Sequence, residues 1–447
     1  MAVTESADGL RWRGSSAGGQ VDGRVNAHRA AAELVDLLDV PEAAWASLAA
    51  RAVESNGFYH PAWARAVTRH AEGKSGAQAL LAWDSPARAR LIGLLPVVSA
   101  FRALTLPVPA LVAWQAYAPL TVPLLDRDAV DQAASALLDA ASAAGACGVL
   151  LPSITTGGAA AHALQRAARG AGMLSHQHER AMLDARQDGD AAVDALGAKK
   201  LKELRRQRNR LADNGEVNFR VVTGADDVQS ALEAFLTLEA AGWKGARGTA
   251  LGRKPGDAAF VREAVPALVR DGQAQMMTLS TGARIVAAGV VLRHLDRAYF
   301  FKIAYDENLA KTSPGVQLTL DLTRALCADP AVGSIDSIAV SNHPMIDHIW
   351  RDRLAIGDLL LPARGGAATL RPLFRRSAGF ASSVLAIGVM PAAPRFHPRA
   401  AAAARHPCSH HFINHDARKV LTKVLAFAYP GPIDARSADI APIPGKA

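Results

Sequence analysis

Cysteine is scarce in this chain, with three residues (Cys147, Cys327 and Cys408) among 447. Because they are few and scattered, we expect no disulfide framework, and a reducing cytoplasm fits best. The apolar run from Phe380 to Met390 is too short to span a bilayer. The N-terminus lacks the apolar core of a signal peptide. These absences favour a cytoplasmic protein and argue against a secreted or bilayer-spanning one.

Most of the chain also lacks an excess of charge of one sign. After Ala363, twelve Lys or Arg residues face three acidic ones, which leaves 38 of each in the first 363 residues. The net charge of +9 therefore belongs to the tail, and we expect no DNA binding by the neutral body. The basic tail could make weak, peripheral contact with the anionic inner face of the membrane. A plain solubilising tail is the alternative.

Metal-binding motifs are missing as well. His343, Asp347, His348 and Trp350 are predicted to lie on one short helix that runs through Trp350, but they do not form the HExxH pattern of a zinc enzyme. Cys408 lies among three histidines of the tail, where no second ligand pair has the spacing of a zinc finger. We therefore predict no metal site.

The chain divides into four segments by composition. We predict a flexible N-terminus over residues 1–26, two mixed αβ domains over 27–190 and 191–363, and a low-complexity tail over 364–447. The two central segments contain a faint repeat, in which a strand, a polar turn and a second strand precede a helix and another strand. This repeat predicts a mixed α/β (α+β) sheet built from two copies of one unit.

Local patterns predict the elements of these units. Residues 27–52 are predicted to form a helix, residues 199–211 a basic amphipathic helix, and residues 335–340 a strand. Three further strands are predicted to form a meander. These strands are 273–279, 284–292 and 298–305.

The second unit carries the strongest functional signal. The strand 299–305 is followed by a polar loop and by Ser313–Pro314–Gly315, which begins an apolar-periodic helix. Ser313 is a suitable N-cap, Pro314 suits the first helical position, and Gly315 allows close approach of a ligand. Free N–H groups at such a helix start suit a phosphate or pyrophosphate. The alternative is an ordinary capped helix. The first unit has no equivalent of this motif or of Lys302.

The basic helix over residues 199–211 reads KKLKELRRQRNRL, with seven Lys or Arg residues and one Glu. Leu201, Leu204 and Leu211 fall on one face, so the helix should pack against the body through them. Its cations suit contact with phosphate or acidic lipid. A solvated basic face on a docked helix is the alternative.

Two stretches carry a family resemblance, LEAAGWKG (Leu238 to Gly245) and FFKIAYDENLAKTSPG (Phe300 to Gly315). Together, in this order, they resemble the CelD/BcsL-type acetyltransferases of the GNAT superfamily, which act in cellulose and exopolysaccharide biosynthesis. The likeness covers roughly residues 34–361. It implies a tandem double GNAT fold related to the Fem-type aminoacyl transferases. It also implies acetyl-CoA or another acyl-CoA as the donor, with a sugar or cell-envelope precursor as the acceptor.

The resemblance also implies where the donor lies. GNAT enzymes splay a central strand, hold the pantetheine arm in the gap, and place the pyrophosphate on the next helix start. Here the strand would be Phe300–Tyr305. The implied donor-binding residues are Ile303, Ser313, Pro314, Gly315, Val316 and Gln317.

Acyl transfer needs a base, an oxyanion donor and a proton for the leaving thiolate. Asp306 or Glu239 could be the base and Tyr305 the acid, while Lys302 could neutralise charge on the donor or the tetrahedral intermediate. Tyr305 could instead be a core aromatic residue and Asp306 a loop cap. Lys302 lies in an apolar strand and should have a partner.

We expect Trp243, Lys244 and Trp350 to contact the acceptor. For Trp243 and Lys244, a role in a structural helix stop is the alternative. Three functions remain open. They are an acyl-CoA-dependent N- or O-acyltransferase, a Fem-like aminoacyl transferase that uses aminoacyl-tRNA, and a non-catalytic partner of the polysaccharide-synthesis machinery.

Overall fold

A computed structural model of the chain describes residues 30–363. The predictions for residues 1–26 and for the tail, including its membrane contact, lie outside this range. Thirteen strands of the described range form one mixed sheet. The strands are β1 (Ala31–Asp36), β2 (Gln78–Trp83), β3 (Leu91–Ser99), β4 (Ala110–Ala113), β5 (Leu124–Leu125), β6 (Gly148–Thr155), β7 (Met173–Asp184), β8 (Val217–Val222), β9 (Ala274–Thr281), β10 (Arg284–His294), β11 (Arg297–Tyr305), β12 (Ser334–Asp336) and β13 (Asp352–Pro362).

Helices cover both faces of the sheet. They are α1 (Glu42–Ala50), α2 (Pro61–His70), α3 (Ala100–Leu104), α4 (Val130–Ala143), α5 (Ala159–Ala167), α6 (Gly189–Asp194), α7 (Ala198–Ala212), α8 (Ala225–Ala241), α9 (Trp243–Ala246), α10 (Pro255–Arg270), α11 (Pro314–Cys327) and α12 (Ile346–Ile349). Short 3-10 turns connect several of them, including Glu307–Thr312 before α11. No helix within residues 30–363 is long and apolar enough to cross a membrane.

The sheet is built from two copies of one pattern, as the repeat predicts. Strands β1 to β4 pair antiparallel in sequence order, and β4 then pairs parallel with β6. Strands β8 to β11 pair antiparallel in the same way, and β11 then pairs parallel with β12. We call these sets, with their helices, the first unit and the second unit. The predicted mixed sheet of two similar units is confirmed.

The two units exchange their next strands. β7, which follows the first unit, pairs with β12 of the second unit, and β13, which follows the second unit, pairs with β6 of the first. β7 and β13 also pair with each other at the centre of the sheet. The units therefore share one continuous sheet, which explains why they pack as one body.

Several predicted elements need correction. Residues 31–36 form β1 rather than helix, because this stretch pairs with β2 as an edge strand. The strand predicted over residues 335–340 ends at Asp336, where an Asx-type bond from Ile338 N–H to Asp336 Oδ1 (2.9 Å) turns the chain. Helix α12 is limited to four residues and ends before Trp350. The meander and the amphipathic α7, with Leu204 and Leu211 buried, are confirmed.

Candidate functional site

β11 leaves its neighbour β12 after three positions. Arg297–Tyr299 pair with Ser334–Asp336, and within residues 30–363 no strand continues this edge from Phe300 to Tyr305. The next N–H along the chain, that of Asp306, donates to Val286 O of β10 at 2.8 Å. Because pairing alternates along an antiparallel ladder, Ile303 and Tyr305 direct their backbone groups away from β10. We call this opening the β11–β12 gap.

A β-bulge in β11 sets which side chains face each side of the sheet. Val290 of β10 is opposite Lys302 and Val291 is opposite Phe300, so Phe301 has no partner in β10 and is the extra residue. Lys302 is thereby directed towards α8, where it meets Glu239. Ile303 packs in the core beneath α11 instead.

Glu239 of α8 is shared by two lysines. Its Oε1 lies 3.0 Å from Lys302 Nζ and 3.4 Å from Lys244 Nζ. Its Oε2 accepts the N–H of Leu251 at 2.8 Å, and the side chain is 0% exposed. Lys244 Nζ also donates to Ile303 O at 3.0 Å, on the edge that borders the gap. We call Lys302, Glu239 and Lys244 the Lys–Glu–Lys cluster. With both lysines protonated, it has one net positive charge.

The surroundings of Lys244 disfavour the positive charge of its ammonium group. Burial lowers the pKa of its ammonium, and the adjacent charge of Lys302 lowers it further, whereas Glu239 opposes both effects. The cluster therefore accounts for three predicted site residues, but Glu239 has both carboxylate oxygens engaged. This arrangement does not favour Glu239 as a free general base.

The start of α11 departs from the predicted capping. Ser313 occupies the N-cap position in the left-handed region with φ of 51°, and its side chain makes no capping bond. Pro314 is the first helical residue, as predicted. A Cβ on Gly315 would lie 3.0 Å from Tyr305 Cδ1, so the glycine makes room for this ring. The predicted close approach at Gly315 is thus made by a side chain of the protein.

The next two residues of α11 have different surroundings. Val316 is half-buried at the third helical position. Gln317 is buried, and its Nε2 donates to Leu204 O of α7 at 2.9 Å. Gln317 therefore joins α7 to α11, and Val316 is the residue that reaches the surface in this turn.

Tyr305 and Asp306 lie at the end of β11. The Tyr305 side chain is half-buried, and its pKa is raised by burial and by the charge of Glu307. Asp306 is buried, forms an ion pair with Arg284, and accepts the N–H of Asn308 at 3.0 Å. The loop-capping role considered for Asp306 fits this placement better than a base does. A pocket of about 610 Å³ lies beside both residues, between α8 and the ends of β10 and β11.

The two tryptophans predicted to contact an acceptor differ sharply. Trp243 is 43% exposed and lies beside the cluster, with its backbone N–H donating to Glu307 Oε1 at 2.7 Å. Trp350 is 0% exposed, and its Nε1 donates to Thr323 Oγ1 at 2.9 Å. Such a core position does not fit the predicted acceptor contact for Trp350. Its hydrogen-bonded indole is a packing element.

Aromatic residues from both units meet beside the cluster, and sequence patterns did not single them out. Trp63 of the first unit packs edge-on against the bulged Phe301, with ring centres 4.8 Å apart. Tyr117 packs on Phe260 at 4.8 Å, and its hydroxyl lies 2.6 Å from Asp257 Oδ2. We call Trp63, Tyr117, Phe260 and Phe301 the aromatic wall. It has no local signature because it forms only where the units pack together.

In the first unit, the opening between β4 and β6 that corresponds to the β11–β12 gap is closed. β4 pairs with β6 over three positions, and the chain after β4 then returns along β6. Thr121 donates its N–H to Ser153 O at 3.4 Å and its hydroxyl to Pro152 O at 2.5 Å. Gln115 Nε2 also lies 3.5 Å from Pro152 O. Only the second unit therefore offers an open strand edge here within the described residues.

Among residues 30–363 there is no group of three or more His, Cys, Asp or Glu side chains placed to hold a metal. Asp347 and His348 lie in α12, whereas His343 lies before it, and its Nδ1 faces the N–H of Met345 at 3.3 Å. The Cys408 tract lies outside the described residues.

Residues 198–339, from α7 to just beyond β12, match the family described as Acetyltransferase (GNAT) domain. No curated protein sequence matches the chain. Three solved structures are similar to parts of its backbone. FemX is 9% identical, with 77% of this chain and 99% of that chain covered and a TM-score of 0.47.

A tandem GNAT protein from the clavulanic acid biosynthesis pathway is 14% identical, with 75% of this chain and 98% of that chain covered and a TM-score of 0.36. The C-terminal DUF2156 domain of an Agrobacterium fabrum protein is 13% identical, with 75% of this chain and 95% of that chain covered and a TM-score of 0.47. These low values carry no information about the reaction. The family match and the repeated strand order agree on the architecture. The second unit contains the residues that match the GNAT acetyltransferase domain family, and the first unit repeats its strand order.

Proposed function

We propose that the protein transfers an acyl group from acyl-CoA to an amine or hydroxyl acceptor, and that the second unit performs the reaction. The observation that carries this proposal is the unpaired edge of β11 beside the Lys–Glu–Lys cluster. An extended thioester arm can replace the missing strand there by bonding to the N–H of Ile303 and to the backbone groups of Tyr305, since Ile303 O already accepts from Lys244 Nζ at 3.0 Å. The closed opening of the first unit favours a single donor site.

The donor's pyrophosphate would lie at the start of α11. Gly315 and Val316 follow Pro314 in the first turn, and their backbone N–H groups have no partner within the helix, whereas the N–H of Gln317 donates to Ser313 O at 3.0 Å. The helix dipole adds positive potential at this end. Phosphate groups bind readily at helix starts of this kind. The pantetheine arm would then run from α11 along β11 towards Lys302.

The Lys–Glu–Lys cluster would act on the reacting carbonyl. Attack by the acceptor places a negative charge on the thioester oxygen, and a backbone N–H near Ile303 with the net positive cluster would stabilise it. Attack forms the new carbon–nitrogen or carbon–oxygen bond, and collapse of the intermediate restores the carbonyl and breaks the carbon–sulfur bond. The leaving thiolate would take a proton from the hydroxyl of Tyr305, whose raised pKa keeps it protonated at neutral pH. The proton that the acceptor loses would pass through solvent and restore the Tyr305 hydroxyl.

The acceptor would enter beside the aromatic wall. Tyr117 and Phe301 are half-buried, so part of each ring faces solvent next to the cluster. Sugar rings commonly stack on such aromatic faces, and Trp243 adds an exposed ring at the rim. We therefore propose a saccharide or cell-envelope precursor as the acceptor class. A role in exopolysaccharide synthesis rests on the family resemblance of the two motifs alone.

Calorimetric titration with acetyl-CoA tests the donor site. We would compare the wild-type protein with Val316→Glu, which places a carboxylate where the pyrophosphate would lie. Glutamate is favourable at the third position of a helix, so the fold should be retained. Val316→Gln is the matched control, because it has the same shape without the charge.

We expect wild type and Val316→Gln to bind acetyl-CoA, and Val316→Glu to bind it at least about tenfold more weakly. Equal affinity of the two variants would exclude the start of α11 as the pyrophosphate site. Absence of binding to wild type would remove acyl-CoA as the donor, and would shift the balance towards aminoacyl-tRNA or a non-catalytic partner.

A further inference from the structure

The outer face of α7 has an excess of positive charge that the proposed acyl transfer does not use. Of its seven Lys and Arg residues, Lys200 pairs with Glu203 at 3.1 Å and Arg208 with Asp321 at 2.8 Å. The other five have no carboxylate partner among the described residues, and all five are exposed. They are Lys199, Lys202, Arg205, Arg206 and Arg210. We call these five residues the basic stripe.

The cations at the start of α7 do not stabilise the helix. Lysines at positions 199, 200 and 202 occupy the start of α7, where the helix dipole disfavours cations by about 0.3–1 kcal/mol each. Gly197 at the N-cap supplies no side-chain cap, and the first turn contains no acidic residue. Local helix stability therefore does not explain these charges.

α7 runs alongside the proposed donor site. Leu204 O accepts a hydrogen bond from Gln317, and Arg208 pairs with Asp321. Both contacts advance by four residues in the same direction, so α7 and α11 are approximately parallel. Leu204 is the seventh residue of α7, whereas Gln317 is the fourth of α11. α7 therefore begins about one turn earlier, beside the loop Glu307–Thr312.

We propose that α7 is the docking surface for an acidic carrier protein that presents the acyl group on a phosphopantetheine arm. This inference rests on the proposed function, because the arm would enter the β11–β12 gap past the start of α11. The stripe spans twelve residues, with its first and last Cα atoms about 16 Å apart along the helix. That length matches an acidic helix lying across it, and the charges are complementary.

Other occupants fit the stripe less well. Its charges lie on a convex exposed face, where a small nucleotide would contact few of them at once. α7 has no aromatic side chain for stacking against single-stranded nucleic acid. No large exposed apolar residue lies on α7 to insert into a membrane, since those of the described range are elsewhere. An acidic protein surface therefore fits this face best.

The test uses a bacterial acyl carrier protein, both without its arm and loaded with acetyl-phosphopantetheine. The variant reverses three charges of the stripe, Lys199→Glu, Lys202→Glu and Arg206→Glu. The control reverses three exposed cations elsewhere, Lys74→Glu, Arg169→Glu and Arg270→Glu, and so changes the net charge equally. Circular dichroism checks that both proteins are folded.

We expect the arm-free carrier to bind the wild type and the control, and to bind the stripe variant about 100-fold more weakly. Acetyl-CoA affinity should be the same in all three proteins. If the stripe variant loses acetyl-CoA binding by the same factor, α7 instead serves the phosphates of CoA and the proposal is wrong. Carrier binding that is absent, or equal in all three proteins, would also overturn it.

Two further titrations distinguish other partners. Stripe-dependent binding of tRNA or of anionic phosphatidylglycerol vesicles, without carrier binding, would assign α7 to those partners and contradict the proposal. Failure of the acyltransferase proposal has a different signature, because neither acetyl-CoA nor the loaded arm would then add affinity to the wild type.

Discussion

Arg180 of β7 and Asp336 of β12 form a buried ion pair, with Nη2 and Oδ2 2.6 Å apart, at the residue where β12 ends its pairing with β11. Arg180 is 4% exposed and Asp336 0%. The second carboxylate oxygen, Oδ1, accepts the N–H of Ile338 and turns the chain away from β11. Asp336 therefore anchors the chain at the point where the β11–β12 gap begins.

Replacing Asp336 with Asn should lower stability and donor affinity together. Arg180 would remain buried without a counter-charge, which typically destabilises a protein by about 3–5 kcal/mol. The gap would also lose its fixed boundary, so acetyl-CoA binding should weaken. Urea unfolding and calorimetry measure the two effects. The double variant Arg180→Met/Asp336→Leu removes both charges and should be less destabilised. A loss within about 0.5 kcal/mol in Asp336→Asn would contradict this role.

Lys302→Met should reduce turnover far more than donor binding. The lysine is placed to stabilise charge that develops only in the transition state, and removal of such a group typically costs about 10²–10³ in kcat. Glu239 would keep Lys244 as a partner, so the fold should persist. Steady-state kinetics with acetyl-CoA and a sugar-amine panel measure the effect, with Arg270→Met as the control. A tenfold loss of acetyl-CoA affinity with unchanged kcat would assign Lys302 to binding instead.

His294 should make the protein less stable in mild acid. Its Nδ1 accepts the N–H of Asn56 at 3.0 Å, and its Nε2 faces Ala49 O at 3.0 Å, so the neutral ring joins the two units. Burial, helped by His60, lowers its pKa from 6.5 to about 4. The unfolded state therefore binds more protons between these values, and stability should fall as the pH drops from 6.5 to 4, by about 3 kcal/mol.

Urea unfolding of wild type and His294→Gln over this pH range measures the contribution of His294. The variant should be less stable at neutral pH and should lose less stability on acidification. Parallel pH profiles for the two proteins would contradict the assignment, since all other titrating groups are common to both.

Gly315→Ala should disturb the start of α11 through Tyr305. The new Cβ would lie 3.0 Å from Tyr305 Cδ1, a contact that the ring can relieve only by moving. We expect a loss of about 1–2 kcal/mol. Tyr305→Leu provides space, so the double variant should lose less than the sum of the single variants. Additive effects in urea unfolding would show that the two residues are not coupled.

Sequence patterns predicted the second unit well because its elements are long and regular. The meander and α11 have clear alternation or helical periodicity, and the turn between β9 and β10 uses Gly282 at φ of 55°. Lys302 was predicted to need a partner, and Glu239 provides it. A lysine in an apolar strand is informative because burying its charge alone is costly.

The remaining features depend on contacts between distant segments. β1 lies within residues 27–52, which were predicted to form a helix, and pairing with β2 decided its state. The exchange of β7 and β13 and the aromatic wall have no local pattern. Trp350 was predicted at the acceptor site, but it lies in the core, where its indole N–H donates a hydrogen bond to Thr323 Oγ1. Exposed and buried tryptophans look alike in a sequence.

Residue-resolved hydrogen exchange in the presence of acetyl-CoA tests the central claim most directly. If the thioester arm lies along β11, the amides of Ile303 and Tyr305 should exchange more slowly when acetyl-CoA is bound. The amides of β4, whose edge is closed by residues 114–123, should exchange at an unchanged rate. Slower exchange at β4, or no change at Ile303 and Tyr305 under saturating acetyl-CoA, would contradict the placement of the donor in the β11–β12 gap.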